Sequence, residues 1–233
     1  MTSTKRRTSV QPPSEQPQPR APQQERGRQR VATILDHAGA IIAAGGPGAL
    51  TMHSLAKTAN TSVGSLYHFF PDRESVLKSV AERHALALHE IADRLRAVPD
   101  ATWRQLNAEE AIRELLLPYT DYVRRHADFV QLMRSPELAP QAQDFVKLID
   151  RILALRLPAT PTRRRRIYTE MLHAVAAGTV HLAYQLNPSK LDVWLEEVQR
   201  VLAAYLMELE RCAEPVEGAE GKQAPVSRSG KRR

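Results

Sequence analysis

The sequence of 233 residues predicts an all-α fold. In most of the chain apolar residues recur three and four positions apart, which is the period of a helix with one buried face. Glycine and proline concentrate between these periodic segments, and no segment has the strict alternation of a half-buried strand. Apolar residues make up 42% of the chain, which is sufficient for the core of one or two domains.

The first predicted helix carries a regular apolar stripe and ends at a run of glycine and proline. Its apolar positions are Val31, Leu35, Ala38, Ile41 and Ile42. Residues 45–48, Gly-Gly-Pro-Gly, follow this stripe. Such a run stops a helix because glycine is flexible and proline lacks a backbone donor.

Two short helices joined by a tight turn are predicted next. Thr51 is placed to cap the first, Met52–Ala59, and Ser62 is placed to cap the second, Val63–Phe69. Asn60 lies in the turn, where asparagine tolerates the left-handed conformation better than most residues do. Two such helices form a helix-turn-helix, which places its second helix in the DNA major groove.

The second short helix has two distinct faces. The residues expected to face the core are Leu66, Phe69 and Phe70, and those left for the other side are Val63, Ser65, Tyr67 and His68. Pro71 disfavours helix at the residue before it, and Asp72 is placed to cap the following helix. The sequence therefore predicts a compact three-helix unit with one helix face free for contact.

The remaining predicted helices are separated mainly by prolines. They run from Asp72 to about Ala97, from about Ala108 to Arg125, from Phe129 to Arg134, from Ala142 to Arg156, from Pro161 to about Leu186, and from Lys190 to Cys212. Pro118 is expected to kink the second of these helices. Thr160 and Ser189 are placed to cap the last two.

The run from Thr61 to Glu74, TSVGSLYHFFPDRE, resembles the DNA-binding signature of the tetracycline-repressor (TetR) family of transcriptional regulators. The resemblance covers about Arg28 to Ala87, and the helical organisation extends it loosely to Cys212. The chain departs from the family pattern at Asn60, where glycine is usual, and at Val63, where lysine is frequent. At Val63 an apolar contact with a thymine methyl group would replace a basic contact.

The resemblance implies a sequence-specific DNA-binding regulator. It implies phosphate contacts for Tyr67 and Arg73, with the rest of the second helix near base edges. The residues that it assigns to DNA are Thr51, Ser62, Val63, Gly64, Ser65, Tyr67, His68 and Arg73. It further implies a repressor that leaves a palindromic operator when a small molecule binds. The alternatives are an activator, a ligand-independent regulator, or a helical small-molecule carrier that does not bind DNA.

The chain divides into an N-terminal helix-turn-helix domain and a C-terminal helical ligand-binding and dimerisation domain, with a tail at each end. We assign residues 1–27 to a disordered arm, 28–87 to the DNA-binding domain with its helix-turn-helix at about 51–70, 88–212 to the regulatory domain, and 213–233 to a disordered tail. Residues 1–30 carry seven Lys and Arg against two Glu, whereas residues 31–90 carry four against five acidic residues. The arm either reaches DNA or serves only as a solubilising tail.

The last two predicted helices imply a homodimer, because in the TetR family the corresponding helices form a four-helix interface between subunits. The same apolar stripes would also serve to pack the helices within one subunit. Helix faces give a set of candidate effector-binding residues, each of which would serve equally well as plain core. These are Tyr122, Phe129, Met133, Phe145, Ile149, His173, Ala177, His181 and Tyr184.

Other classes of function lack support in the sequence. The eight histidines and the single cysteine, Cys212, form no metal-ligand spacing, and neither a Ser-His-acid set nor a glycine-rich phosphate loop is present. We therefore expect no enzyme activity, no metal and no cofactor. No apolar run approaches the ~20 residues of a membrane span. One cysteine precludes an internal disulfide, which fits a cytoplasmic protein.

Overall fold

The computed structural model describes residues 21–133 and 135–213, and within these ranges every regular element is helical. The helices are α1 Ala21–Gly45, α2 Met52–Thr58, α3 Val63–Phe69, α4 Arg73–Arg96, α5 Asp100–Gln105, α6 Ala108–Arg125, α7 Ala127–Leu132, α8 Ala139–Arg156, α9 Thr162–Leu186 and α10 Leu191–Ala213. Single turns of 3-10 helix lie at Pro47–Ala49, Pro136–Leu138 and Pro188–Lys190. The all-α prediction is confirmed.

The helices of the DNA-binding half begin where local capping signals place them. The Thr51 hydroxyl accepts a hydrogen bond from the Ser54 amide at 2.9 Å, and the Asp72 carboxylate accepts one from the Ser75 amide at 2.7 Å. Both pairs are capping boxes, since each serine hydroxyl also accepts from the amide of its cap residue. Asn60 has φ 47°, so the turn between α2 and α3 uses the left-handed conformation as predicted.

Helix α1 begins earlier than the sequence predicted. Residues 21–27 were assigned to the disordered arm but are helical, so that boundary was wrong. The segment is rich in Gln, Glu and Arg, which favour helix without supplying an apolar stripe by which to recognise it. The rest of the predicted arm, residues 1–20, and the tail from residue 214 lie outside the described residues.

Helices α5, α7 and α8 also differ from the predictions. Helix α5 was missed because six residues are too few to display a helical period, although its Trp103 is fully buried. Helices α7 and α8 begin at Ala127 and Ala139, a little before their first predicted residues, and Arg134 lies outside the described residues. Pro118 lies within α6, as predicted, and the kink expected there stays a prediction.

The two predicted caps at the carboxyl end of the chain were wrong. Pro161, not Thr160, is the cap residue of α9, and no side chain caps that helix. The Ser189 hydroxyl bonds to the Asn187 side chain at 2.6 Å, inside the 3-10 turn that precedes α10. Helix α10 consequently begins at Leu191. A side chain caps a helix by accepting from a backbone amide that has no other partner. The 3-10 turn before α10 changes which amides lack a partner.

A single apolar core runs through both halves of the molecule, and α4 connects them. Val76 and Val80 are fully buried in the first half of α4, which packs against α1, while Leu88, Ile91 and Leu95 are buried further along it, in the C-terminal half of the molecule. There α4 packs against α8, and α10 packs against both α6 and α9. The N-terminal unit, α1 to α3, is therefore joined to the C-terminal half by a continuous helix.

A buried polar cluster joins the same two halves. His84 of α4 is fully buried, with Nδ1 2.6 Å from the Tyr122 hydroxyl of α6 and Nε2 3.0 Å from Oδ2 of Asp128 of α7. Burial would raise the Asp128 pKa, but the hydrogen bond to His84 and nearby positive charge lower it below its ordinary value. Burial raises the pKa of Tyr122 to about 12. Asp128 therefore remains ionised within the cluster at neutral pH.

Gly39 of α1 lies directly against this cluster. A Cβ added at Gly39 would lie 2.7 Å from Oδ2 of Asp128, closer than real Cβ contacts allow. The absence of a side chain at Gly39 thus permits α1 to approach α7. At Gly27, on the same helix, an added Cβ would have nothing within 4 Å.

We expect Gly39→Ala to lower the free energy of unfolding by up to about 2 kcal/mol. Overpacking costs about 1–3 kcal/mol, which outweighs the ~1 kcal/mol that alanine gains over glycine within a helix. In the control Gly27→Ala only the helix preference of alanine acts, so this substitution should raise the free energy of unfolding by about 0.5–1 kcal/mol. Denaturant unfolding of the three proteins measures both effects, and equal stabilisation by the two substitutions would contradict the close approach.

Candidate nucleic-acid interface and internal cavity

Helix α3 is held by one face and presents the other to solvent. Leu66 is fully buried and Phe70, just beyond the helix, is buried, whereas Tyr67 is 52% exposed. Gly64, Ser65 and His68 are also exposed, and Val63 and Phe69 are half-buried. The predicted division of α3 into a core face and an outward face is thus confirmed, except that Phe69 and Val63 lie at its edges.

The serine and threonine hydroxyls at this surface position the helices as well as facing solvent. The Ser62 hydroxyl accepts a hydrogen bond from the Ser65 amide at 3.1 Å and donates one to the Ser65 hydroxyl at 2.9 Å. The Thr51 hydroxyl caps α2 in the same way. These three exposed side chains therefore lie at the amino ends of α2 and α3, where backbone amides also point outward.

Arg73 has partners within the chain that the sequence did not reveal. Its Nε donates to the Leu50 carbonyl at 2.8 Å, and its guanidinium also donates to the Pro47 carbonyl at 2.7 Å and pairs with Glu74. The guanidinium thereby ties the amino end of α4 to the turn that precedes α2. Its assignment to a phosphate contact stays a prediction.

Gly64 occupies a position where the fold itself has room for a side chain. A Cβ added there would meet only the Ser62 hydroxyl, at 3.9 Å, which is an ordinary contact. Neither a positive φ nor a close internal approach requires glycine at this position. A small residue on an outward face is useful where another molecule approaches the backbone closely.

The C-terminal half contains a cavity of about 190 Å³ among α4, α6, α7, α8, α9 and α10. Six of the nine candidate effector residues line it: Phe129, Met133, Phe145, Ile149, His173 and Ala177. The lining residues that the sequence analysis missed are Leu88, Ile112, Leu115, Leu116, Tyr119, Leu138, Ala142, Leu172, Ala176 and Leu202. Most of these are apolar stripe positions, which a sequence does not distinguish from ordinary core.

The other three candidate effector residues lie outside this cavity. Tyr122 turns towards α4 and bonds to His84. Tyr184 and His181 lie beyond the cavity, near the carboxyl end of α1, and the Tyr184 hydroxyl is 3.4 Å from the Ala43 carbonyl. The structure thus corrects the placement of these two residues: His181 and Tyr184 face the carboxyl end of α1 and α7, not the cavity.

Two further classes of site find no support in residues 21–133 and 135–213. Within these ranges no group of three or more metal-ligating side chains comes together. None of the helices there combines the length and apolar content that a bilayer crossing requires. The candidate sites are therefore the outward face of α3 and the cavity.

Both parts of the chain match known protein families. Residues 34–80 match the family described as bacterial regulatory proteins, tetR family, and residues 109–206 match the tetracyclin repressor-like C-terminal domain. The first match contains α2 and α3, and the second spans α6 to most of α10. A search of curated proteins gave no match.

Several solved structures share this fold. The fatty acid degradation regulator FadR from Bacillus halodurans is 17% identical, has a TM-score of 0.57, and aligns over 75% of this chain and 94% of its own. A TetR-family regulator from Streptomyces coelicolor is 21% identical, with a TM-score of 0.54 and coverages of 77% and 99%. FadR from Bacillus subtilis, solved in complex with stearoyl-CoA, is 15% identical, with a TM-score of 0.55 and coverages of 74% and 97%.

These identities are low enough that the structural similarity shows the fold alone. The two family matches, in contrast, cover the helix-turn-helix and most of the regulatory half. On this evidence the chain belongs to the TetR family of transcriptional regulators.

Proposed function

We propose that this protein is a dimeric repressor that binds a palindromic operator and leaves it when a small molecule occupies the cavity. The outward face of α3 carries the proposal. Leu66 and Phe70 hold α3 in the core, so Ser65, Tyr67 and His68 are free to meet bases and phosphates. The tyrosine hydroxyl, the imidazole and the serine hydroxyl are all groups that hydrogen-bond to DNA.

A homodimer is supported by an apolar face on α9 and α10 that the described residues, 21–133 and 135–213, do not cover. The large exposed apolar residues on these helices are Ile167, Met171, Leu182, Leu186, Val193, Val201 and Met207. Between them on α9 lies Gly178, where an added Cβ would have nothing within 4 Å. An apolar face with a small residue at its middle allows a second helix to approach closely, and symmetry would place a second copy there.

The structure distinguishes two residues of α10, Val201 and Tyr205, that the apolar stripe of the sequence does not separate. Val201 is 55% exposed and faces away from its own subunit. Tyr205 is half-buried, with its ring edge-on to Tyr168 at 6.3 Å. A charge at Tyr205 would therefore disturb its own subunit, so it is a poor test of dimerisation.

Release by a ligand is supported by the connection between the cavity and the DNA-binding half. Phe129 lines the cavity and directly follows Asp128, whose carboxylate contacts His84 on α4 and lies against Gly39 on α1. Leu88 of α4 lines the cavity as well. A ligand that moves these residues would act on α4, and so on the orientation of α3. The stearoyl-CoA complex of B. subtilis FadR supports a ligand in a protein of this fold.

Selection of bound sequences from random duplex DNA tests the proposal directly. With the full chain, we expect enrichment of an inverted repeat, because two α3 helices related by two-fold symmetry read two half-sites. Enrichment of a single half-site would contradict the dimer. If no sequence were enriched while small molecules still bound, the protein would be a helical carrier instead.

We expect Gly64→Ala to weaken operator binding tenfold or more without loss of stability. The added methyl group has room inside the protein, and alanine favours helix by up to ~1 kcal/mol over glycine. On the outward face, however, the methyl group would stand between α3 and the DNA backbone. A fluorescence anisotropy titration measures the affinity, with thermal unfolding as the control for folding. Unchanged affinity would remove Gly64 from the interface.

Two substitutions at Arg73 separate its structural role from a phosphate contact. Arg73→Ala removes both and should lower the free energy of unfolding by about 1–2 kcal/mol, because two carbonyls lose their donors. Arg73→Lys keeps the charge but lacks the fork that reaches both carbonyls. If Arg73 also contacts phosphate, Ala but not Lys should reduce the slope of log affinity against log salt by about one. An unchanged slope for Arg73→Ala would leave only the structural role.

We expect Leu182→Glu to convert the dimer to a monomer at micromolar concentration. Leu182 is 46% exposed on α9, so a carboxylate there is solvated in the monomer but buried without a partner in the dimer. The matched control is Leu117→Glu on α6, at a position 44% exposed. Sedimentation measures the oligomeric state and circular dichroism the helicity. A Leu182→Glu protein that remained dimeric would exclude this face as the interface.

A further inference from the structure

The wall of the cavity is almost entirely apolar. Sixteen described residues line it, and fourteen of these offer only hydrocarbon or thioether surface. None of the sixteen has a carboxylate, ammonium or guanidinium group. Water gains few hydrogen bonds from such a wall, so the cavity favours an apolar occupant.

Two side chains provide the only hydrogen-bonding groups among the described lining residues. They are Tyr119 of α6 and His173 of α9. The Tyr119 ring is fixed by edge-on contacts with Phe129 and Phe145, each at a centroid distance of 6.1 Å. Two polar groups from different helices therefore share one apolar chamber.

Both groups are uncharged at neutral pH. Burial raises the pKa of Tyr119, and burial lowers the pKa of His173. In each case burial is the cause of the shift. The phenol hydroxyl thus offers a donor, and the neutral imidazole offers one donor and one acceptor.

The volume of the cavity limits the size of its occupant. An apolar cavity of ~150 Å³ is known to hold benzene, and the cavity here is about 190 Å³. By that comparison the occupant has on the order of ten non-hydrogen atoms. An ion of this size would have to give up its hydration without gaining a counter-charge from the wall, which is strongly unfavourable.

We infer that the effector is an uncharged, mostly apolar molecule, slightly larger than benzene, whose single polar group hydrogen-bonds to Tyr119 and His173. The role of this molecule as an effector rests on the proposed function. The chemistry of the cavity itself stands apart from DNA binding and is tested separately.

Binding of three probes with the same alkyl chain tests the charge requirement. Octanol, octanoate and octylammonium are titrated calorimetrically into the full chain at neutral pH. We expect octanol to bind at least tenfold more tightly than either ion, since an unpaired ion in the cavity is disfavoured. Either ion binding as tightly as octanol overturns the inference, and so does failure of all three to bind at their solubility limits.

Single substitutions test the two polar groups. Tyr119→Phe and His173→Leu should each weaken octanol binding about fivefold to tenfold, the usual effect of losing one hydrogen bond. Chlorooctane has a similar shape but no hydroxyl, so its affinity should hardly change in Tyr119→Phe. The control Tyr168→Phe removes a hydroxyl outside the cavity and should change neither affinity. Equal losses for octanol and chlorooctane overturn the assignment of the polar group.

Operator release is measured separately, by adding octanol to the protein–DNA complex. If octanol binds as expected but leaves the complex intact, ligand release is contradicted and the cavity chemistry stands. If octanoate alone releases the DNA, the effector class is wrong and ligand release stands. The two proposals therefore fail in different ways.

Discussion

The burial of one face of α4 is the constraint on which the rest of the structure depends. Val76 and Val80 hold this helix beneath the DNA-binding unit, and Leu88 and Ile91 hold it in the regulatory half. Because the helix is continuous over residues 73–96, a displacement at one end changes the position of the other. The helix-turn-helix unit and the cavity thus lie towards opposite ends of α4.

The polar cluster around His84 makes this packing specific. Apolar surfaces slide past one another at small cost, whereas a buried carboxylate must keep its partner or lose several kcal/mol. Asp128 keeps its partner only when α7 and α4 are in register, and it lies against α1 only because residue 39 is glycine. The cluster therefore fixes the relative positions of three helices from both halves. Phe129 is next to Asp128 and lines the cavity, so the cluster lies directly beside the cavity wall.

Only part of the candidate site could be predicted from the sequence, because several decisive contacts join residues far apart in the chain. Arg73 finds carbonyls 23 and 26 residues earlier, and no local pattern reveals them. Tyr119 and Tyr122 are three residues apart on α6, yet one faces the cavity and the other His84. Six of the nine effector candidates line the cavity because helix periodicity finds buried faces. It does not say which buried face borders a void.

The sequence by itself determined the features that depend on interactions within a few residues. The bounds of α3 and α6, the caps at Thr51 and Asp72, and the left-handed turn at Asn60 all follow from side chains that bond to nearby backbone. The tertiary structure alone decided the role of Arg73, the helical state of α5, and the division of apolar residues between core, cavity wall and exposed face. Packing decides these because identical apolar side chains have identical local preferences, and only the surrounding helices distinguish them.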